Sequence, residues 1–88
     1  MLLFPLGRLF ATPGALSAVS GDEITEALGR HLRGDWGDVC EKDRQRNNAA
    51  VRTGERLFSA FHTQSGQKFW IITERDRSAT TVLLPEEY

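Results

Sequence analysis

His31, Ser59, Arg77 and Thr80 are the residues whose types could carry acid–base or phosphate chemistry in this sequence. A histidine titrates near neutrality and can move a proton, and an arginine beside hydroxyl groups can hold an anion. His31 stands about one helical turn before Asp35, with Asp38 just beyond, which is the spacing of a carboxylate-oriented imidazole. The competing reading is a hydrogen-bonded core histidine, favoured by its place on an apolar helical stripe. Arg75, Asp76 and Arg77 share one turn, with Thr73, Thr80 and Thr81 on the adjoining segments. They form a candidate surface for a phosphate or a partner's carboxylate. The local alternative has Asp76 bonding turn amides while the arginines pair with Glu74 or the tail glutamates. Arg44, Gln45, Arg46, Asn47 and Asn48 are of the types that read phosphates and base edges, so Arg44 and Arg46 join the binding candidates. Glu41 and Asp43 interleave with them, as on a solvated helix face laced by ion pairs.

Other chemistries find less support. His31, Cys40 and His62 are scattered and form no paired metal-ligand motif, so no metal or cofactor is expected. Gly7, Gly14 and Gly21 recur every seven residues, which spells neither a P-loop nor a dinucleotide fingerprint. Cys40 lies near a helix N-terminus but has no activating partner specified.

The elements that must position these residues follow from periodicity. Gly7–Thr12 reads as an edge strand, and Thr12-Pro13 equally as the start of a short helix running to Val19. From Asp22, Ile24, Ala27, Leu28, His31 and Leu32 fall on one stripe of an amphipathic helix ended by Gly34. Asp38 and Glu41 resemble a capping box opening a second long helix, polar inside and closed by Gly54. The period then changes to two. Leu57–Thr63, Lys68–Thr73 and Ala79–Leu84 are β-rich runs joined by short turns, hence antiparallel hairpins. The expectation is a single two-layer α+β domain over 1–88. Residues 1–54 supply an extended segment and helices, packed on one face of a three- to four-stranded antiparallel meander from 55–88.

With 88 residues, 40% apolar and 26% charged, the chain is an ordinary globular domain rather than a disordered one. Its net charge of -1 gives no global positive field of the kind used by non-specific nucleic-acid or membrane binders. Pro5, Gly7 and Arg8 interrupt the apolar opening, so neither a cleaved leader nor a membrane span is expected. One cysteine suits a reducing compartment, and the cytoplasm is the expected location.

Over nearly its whole length the sequence resembles a group of small bacterial proteins encoded on plasmids, integrated conjugative elements and prophages, labelled plasmid-related or loosely tied to restriction systems. The resemblance is carried by Phe4-Pro5-Leu6-Gly7-Arg8, Ala11-Thr12-Pro13-Gly14-Ala15, Gly34-Asp35-Trp36-Gly37, Ile72–Ser78 and Leu83–Tyr88. It implies a mobile-element cargo protein and supplies no catalytic residues. A second, architectural similarity is to small α+β ribonucleases and toxins, onto which His31 maps as acid or base and Arg77 as phosphate ligand, with Thr80 and Ser59 nearby. The leading expectation is a cytosolic monomer or homodimer that binds a protein partner, for instance to inhibit a host defence nuclease. The first alternative is an RNA-cleaving enzyme, which requires His31 to reach a concave surface. The second is a nucleic-acid binder with the bare outline of a helix-turn-helix. Because Phe58, Ala60 and His62 alternate with Leu57, Ser59 and Phe61, an apolar sheet face open to solvent would point to a partner or a dimer.

Overall fold

The structure, a computed structural model, describes residues 2–88; Met1, the first residue of the apolar opening and of the expected 1–88 domain, lies outside the described residues. The elements are β1 (Arg8–Ala11), α1 (Pro13–Ala18), α2 (Gly21–Leu32), α3 (Glu41–Thr53), β2 (Leu57–His62), β3 (Lys68–Thr73) and β4 (Ala79–Leu83), with a closing 3-10 turn at Pro85–Glu87. This is the α+β architecture expected from the change of period. Both readings of the first segment hold, because Thr12 serves the strand and the helix together. Its hydroxyl accepts the Ala15 N–H at 3.1 Å and Pro13 takes the first helical position, so β1 passes into α1 without a loop. Ser20 caps α2 by accepting the Glu23 N–H, and its own hydroxyl donates to the Glu23 carboxylate.

Helix α3 starts later than expected. Asp38 does not cap it; the helix begins at Glu41 behind Cys40, which makes no side-chain cap bond. The intervening backbone is drawn instead to the edge of β2, where Asp38 N–H donates to Ala60 C=O at 2.6 Å and Ala60 N–H donates to Trp36 C=O at 3.0 Å. Only glycine permits this approach. Gly37 has φ of 74°, and a Cβ there would lie 2.1 Å from the Ala60 carbonyl oxygen.

The sheet order is β1-β4-β3-β2. The β2–β3 and β3–β4 hairpins are antiparallel as the short turns require, but β1 runs parallel to β4, so the sheet is mixed rather than a pure antiparallel meander. Turn length fixes direction only between consecutive strands, and β1 reaches β4 through long-range contact. Arg8 N–H donates to Ser78 C=O, and Gly7, at φ 68°, lies so close to the Arg77–Ser78 backbone that a Cβ would meet Arg77 O at 2.4 Å.

Alternation divides the sheet. Phe61, Phe69, Ile71 and Val82 face α1 and α2 and pack with Ala15, Val19, Ala27 and Leu28. A second cluster of Phe4, Leu32, Trp36, Ala50 and Leu57 joins the end of α2 to α3. The expectation of helices on one face therefore holds for α1 and α2, whereas α3 lies along the β2 edge. Asn47 places it there by donating to Phe58 C=O at 2.6 Å and accepting Phe58 N–H at 3.1 Å. Among the described residues no helix is long and apolar enough to cross a membrane.

Candidate functional site

His31, Ser59, Thr73 and Thr80 are brought together, in the interior rather than in a cleft. All four are fully buried. The register pairs Thr73 with Thr80 and sets Ser59 opposite Ile71 on the same inner face, so three hydroxyls from adjacent strands converge on the α2 imidazole. His31 Nδ1 is 2.6 Å from Ser59 Oγ and Nε2 is 2.9 Å from Thr73 Oγ1; Thr73 and Thr80 hydroxyls are 2.8 Å apart. Proton directions follow from the end of the chain. Thr80 donates to Leu6 C=O at 2.7 Å, so it accepts from Thr73, which in turn accepts from His31 Nε2–H. Nδ1 is then left to accept from Ser59. Each hydroxyl proton is used and the imidazole is neutral in one tautomer.

Burial, reinforced by the nearby positive charge of Arg77, lowers the His31 pKa to about 4. The edges and faces of Phe4 and Trp36 enclose the ring at 5.3 and 5.5 Å. The carboxylates expected to orient it are engaged elsewhere. Asp35 accepts a forked pair of bonds from Arg30, which holds its carboxyl below the usual range, and Asp38 meets His62 Nδ1 at 2.6 Å on the surface. The surface reach that an RNA-cleaving role demands of His31 is thus not met.

Arg77 is also turned to structure. Its guanidinium donates to the backbone carbonyls of Ala50 (2.9 Å), Glu55 (2.7 Å), Glu74 (3.2 Å) and Arg75 (3.4 Å), and lies over Phe4. It ties the end of α3 to the β3–β4 turn. Arg77 itself has φ of 60°, an unfavourable left-handed conformation for a side-chain-bearing residue, and these bonds offset that cost. Thr73 and Thr80 face inward, so the expected anion surface of Arg75, Arg77, Thr73 and Thr80 is not formed. Arg75 remains exposed and pairs with Glu55 at 3.4 Å, while Asp76 accepts the Ser78 N–H as a turn residue. Arg77→Ala is expected to cost about 1–3 kcal/mol of stability, and Arg77→Lys, which lacks the fork, most of that. Urea unfolding checks this, and an unchanged midpoint would mean that the guanidinium is free for a ligand.

The polar face of α3 divides between scaffold and solvent. Asn47 holds β2, and Asn48 Oδ1 accepts the Trp36 indole N–H at 2.9 Å. Arg44 is paired with Glu41, whereas Arg46 is exposed with no ion pair among the described residues. The helix-turn-helix outline dissolves, because residues 33–40 between α2 and α3 form a long excursion bonded to β2.

What remains is a groove on the outer face of the sheet that residue types alone did not single out. It has a volume of about 540 Å³. Phe58, Trp70 and Ile72 form its floor, Ala49, Ala50 and Thr53 of α3 one wall, and Tyr88 the other. Trp70 meets Phe58 edge-on at 5.0 Å and Tyr88 at 5.8 Å. Arg56 donates to the Tyr88 hydroxyl at 2.7 Å and lies over its ring, which holds the tail against β3. Glu87 fixes the same segment by accepting the N–H groups of Gly14 and Leu84. Asp43, Arg46, Asn47, Glu55 and Arg56 complete the lining. The signal in the sequence was the second set of aromatics in the alternation, but only the placement of α3 and Tyr88 turns that face into a groove.

Fold and site together define a small mixed-sheet α+β domain with a saturated polar core and one aromatic groove. Compared with family models, curated proteins and solved structures, the chain matches none.

Proposed function

We propose that this protein is a cytoplasmic binding module that takes a protein partner on the outer sheet face, with an apolar side chain of the partner seated in the groove between α3 and Tyr88. The observation that carries this reading is the groove itself, whose mainly apolar and aromatic lining with a few polar groups at the rim is that of a binding pocket. Trp70 and Tyr88, with Arg56 beside them, are the residue types that dominate binding energy at interfaces. The titratable and hydroxyl groups suited to catalysis are spent on structure, which favours binding over an RNA-cleaving activity. The exposed Cys40 thiol fits a reducing compartment. The resemblance to mobile-element proteins makes a component of a host defence nuclease the class of partner to test first.

The test is affinity capture with Ala49→Arg, which fills the groove from a partly exposed helix position, and Trp70→Ala, each checked for its thermal midpoint. Loss of an interface anchor is expected to cost at least about 1.4 kcal/mol, a tenfold drop in partner affinity. A partner retained at full affinity by both folded variants, or recovery of trimmed RNA without protein, would overturn the reading.

A further inference from the structure

The two edges of the sheet are treated differently. On β2 the middle of the outward edge is covered: Asn47 takes both backbone groups of Phe58, and Trp36 and Asp38 take those of Ala60, which leaves only the terminal His62 without a backbone partner among the described residues. On β1 the arrangement is reversed. Arg8 and Thr12 donate to β4, and alternation along a strand then turns the backbone groups of Leu9 and Ala11 to the open side. Among the described residues none of the backbone or side-chain bonds reaches those outward groups. Leu9 and Phe10 are 51% and 47% exposed, although they stand side by side in a strand. Such an apolar, unpaired edge is a template for a further strand, and proteins ordinarily blunt it.

We propose that β1 pairs antiparallel with β1 of a second copy about a two-fold axis, extending the sheet through both molecules. Because α3 and the 36–38 segment cover β2 at Phe58 and Ala60, β1 is the sheet edge long enough for each copy to offer, so the contact is isologous and ends at the dimer. Opposed residues must share a face. Centring the axis on Phe10 sets the two Phe10 rings against each other on the outer face and Leu9 against Ala11 of the second copy. The outward N–H of each Leu9 then donates to the opposing Ala11 C=O, and each Ala11 N–H to the opposing Leu9 C=O. Arg8 stands opposite Thr12 rather than its own copy, so the register contains no like-charge pair. The surface is separate from the groove, and its failure would leave the binding reading untouched.

The test is sedimentation equilibrium of the full chain from roughly 10 μM to 1 mM, a range chosen for a small interface. Wild type is expected to shift from 9.9 kDa toward twice that mass. Phe10→Lys places a charge on the exposed outer face, and Leu9→Pro removes an outward N–H while sparing the β4 ladder. Each is expected to raise the dimer dissociation constant at least tenfold with a thermal midpoint that leaves the protein folded. A wild type that stays monomeric throughout would overturn the proposal, as would a dimer that both folded variants retain.

Discussion

Replacing His31 by alanine is expected to lower the free energy of unfolding by about 3–5 kcal/mol, a large part of the total for a domain of this size. Two effects add. The imidazole leaves a cavity between Phe4, Trp36 and the sheet, and its removal orphans one hydrogen-bonding partner at each end, Ser59 Oγ and Thr73 Oγ1. Thr73→Val interrupts the same chain at its centre, stranding the Nε2–H and the Thr80 oxygen, and is expected to cost about 1–3 kcal/mol. Urea denaturation of the three proteins checks both values; a His31→Ala loss under 1 kcal/mol would contradict the buried network.

The same histidine sets a pH dependence. Its folded pKa, about 4, lies below the ordinary 6.5, so the native state binds fewer protons than the unfolded chain in between. Its contribution is therefore complete above about pH 6.5 and falls away as pH drops through 4, amounting to about 3 kcal/mol. The carboxyls of Asp35 and Glu87, lowered by their hydrogen bonds, add a further loss of stability as pH falls below the ordinary carboxyl range. Wild type should weaken between pH 6.5 and 4 while His31→Phe, where it folds, should show a flatter profile over that window.

Asn47→Ala is expected to cost about 2–4 kcal/mol, unusually much for one amide on a polar helix. It leaves the Phe58 N–H and C=O without their partner and releases α3 from the sheet. It also opens the second edge, so association beyond two copies is expected and light scattering should rise with concentration. A urea midpoint within 0.5 kcal/mol of wild type, with unchanged scattering, would show that the edge does not depend on this side chain.

The local signals in the sequence translate well into structure wherever they are periodic or capped. The stripe through Ile24, Leu28 and His31, the Thr12-Pro13 helix start, the Gly54 stop and the three β-rich runs all correspond to elements. What failed depends on contacts between distant segments. The Asp38 cap was outcompeted by β2 backbone and His62, and the direction of β1 is set by Ser78, seventy positions away. The site residues illustrate the same limit. His31, Ser59, Thr73 and Thr80 were all visible as chemically capable, yet type and spacing do not reveal that the strand register turns their hydroxyls inward. Arg77 looked free because its partners are backbone carbonyls, which leave no residue signature. Arg44 and Arg46 are on the surface as expected, one paired and one open. Asn47 stood out only as one of a polar run suited to nucleic acid, since its role as an edge cap requires knowing which helix meets which strand.

The most direct test of a groove-based binding function is hydrogen exchange on the protein with and without its captured partner. The expected result is slowed exchange in 49–53 of α3 and in 58–72 across β2 and β3, with the turn at 75–78 unchanged. Protection confined to 75–78, with the groove segments exchanging as freely as in the isolated protein, would contradict it and return the binding surface to the arginine turn.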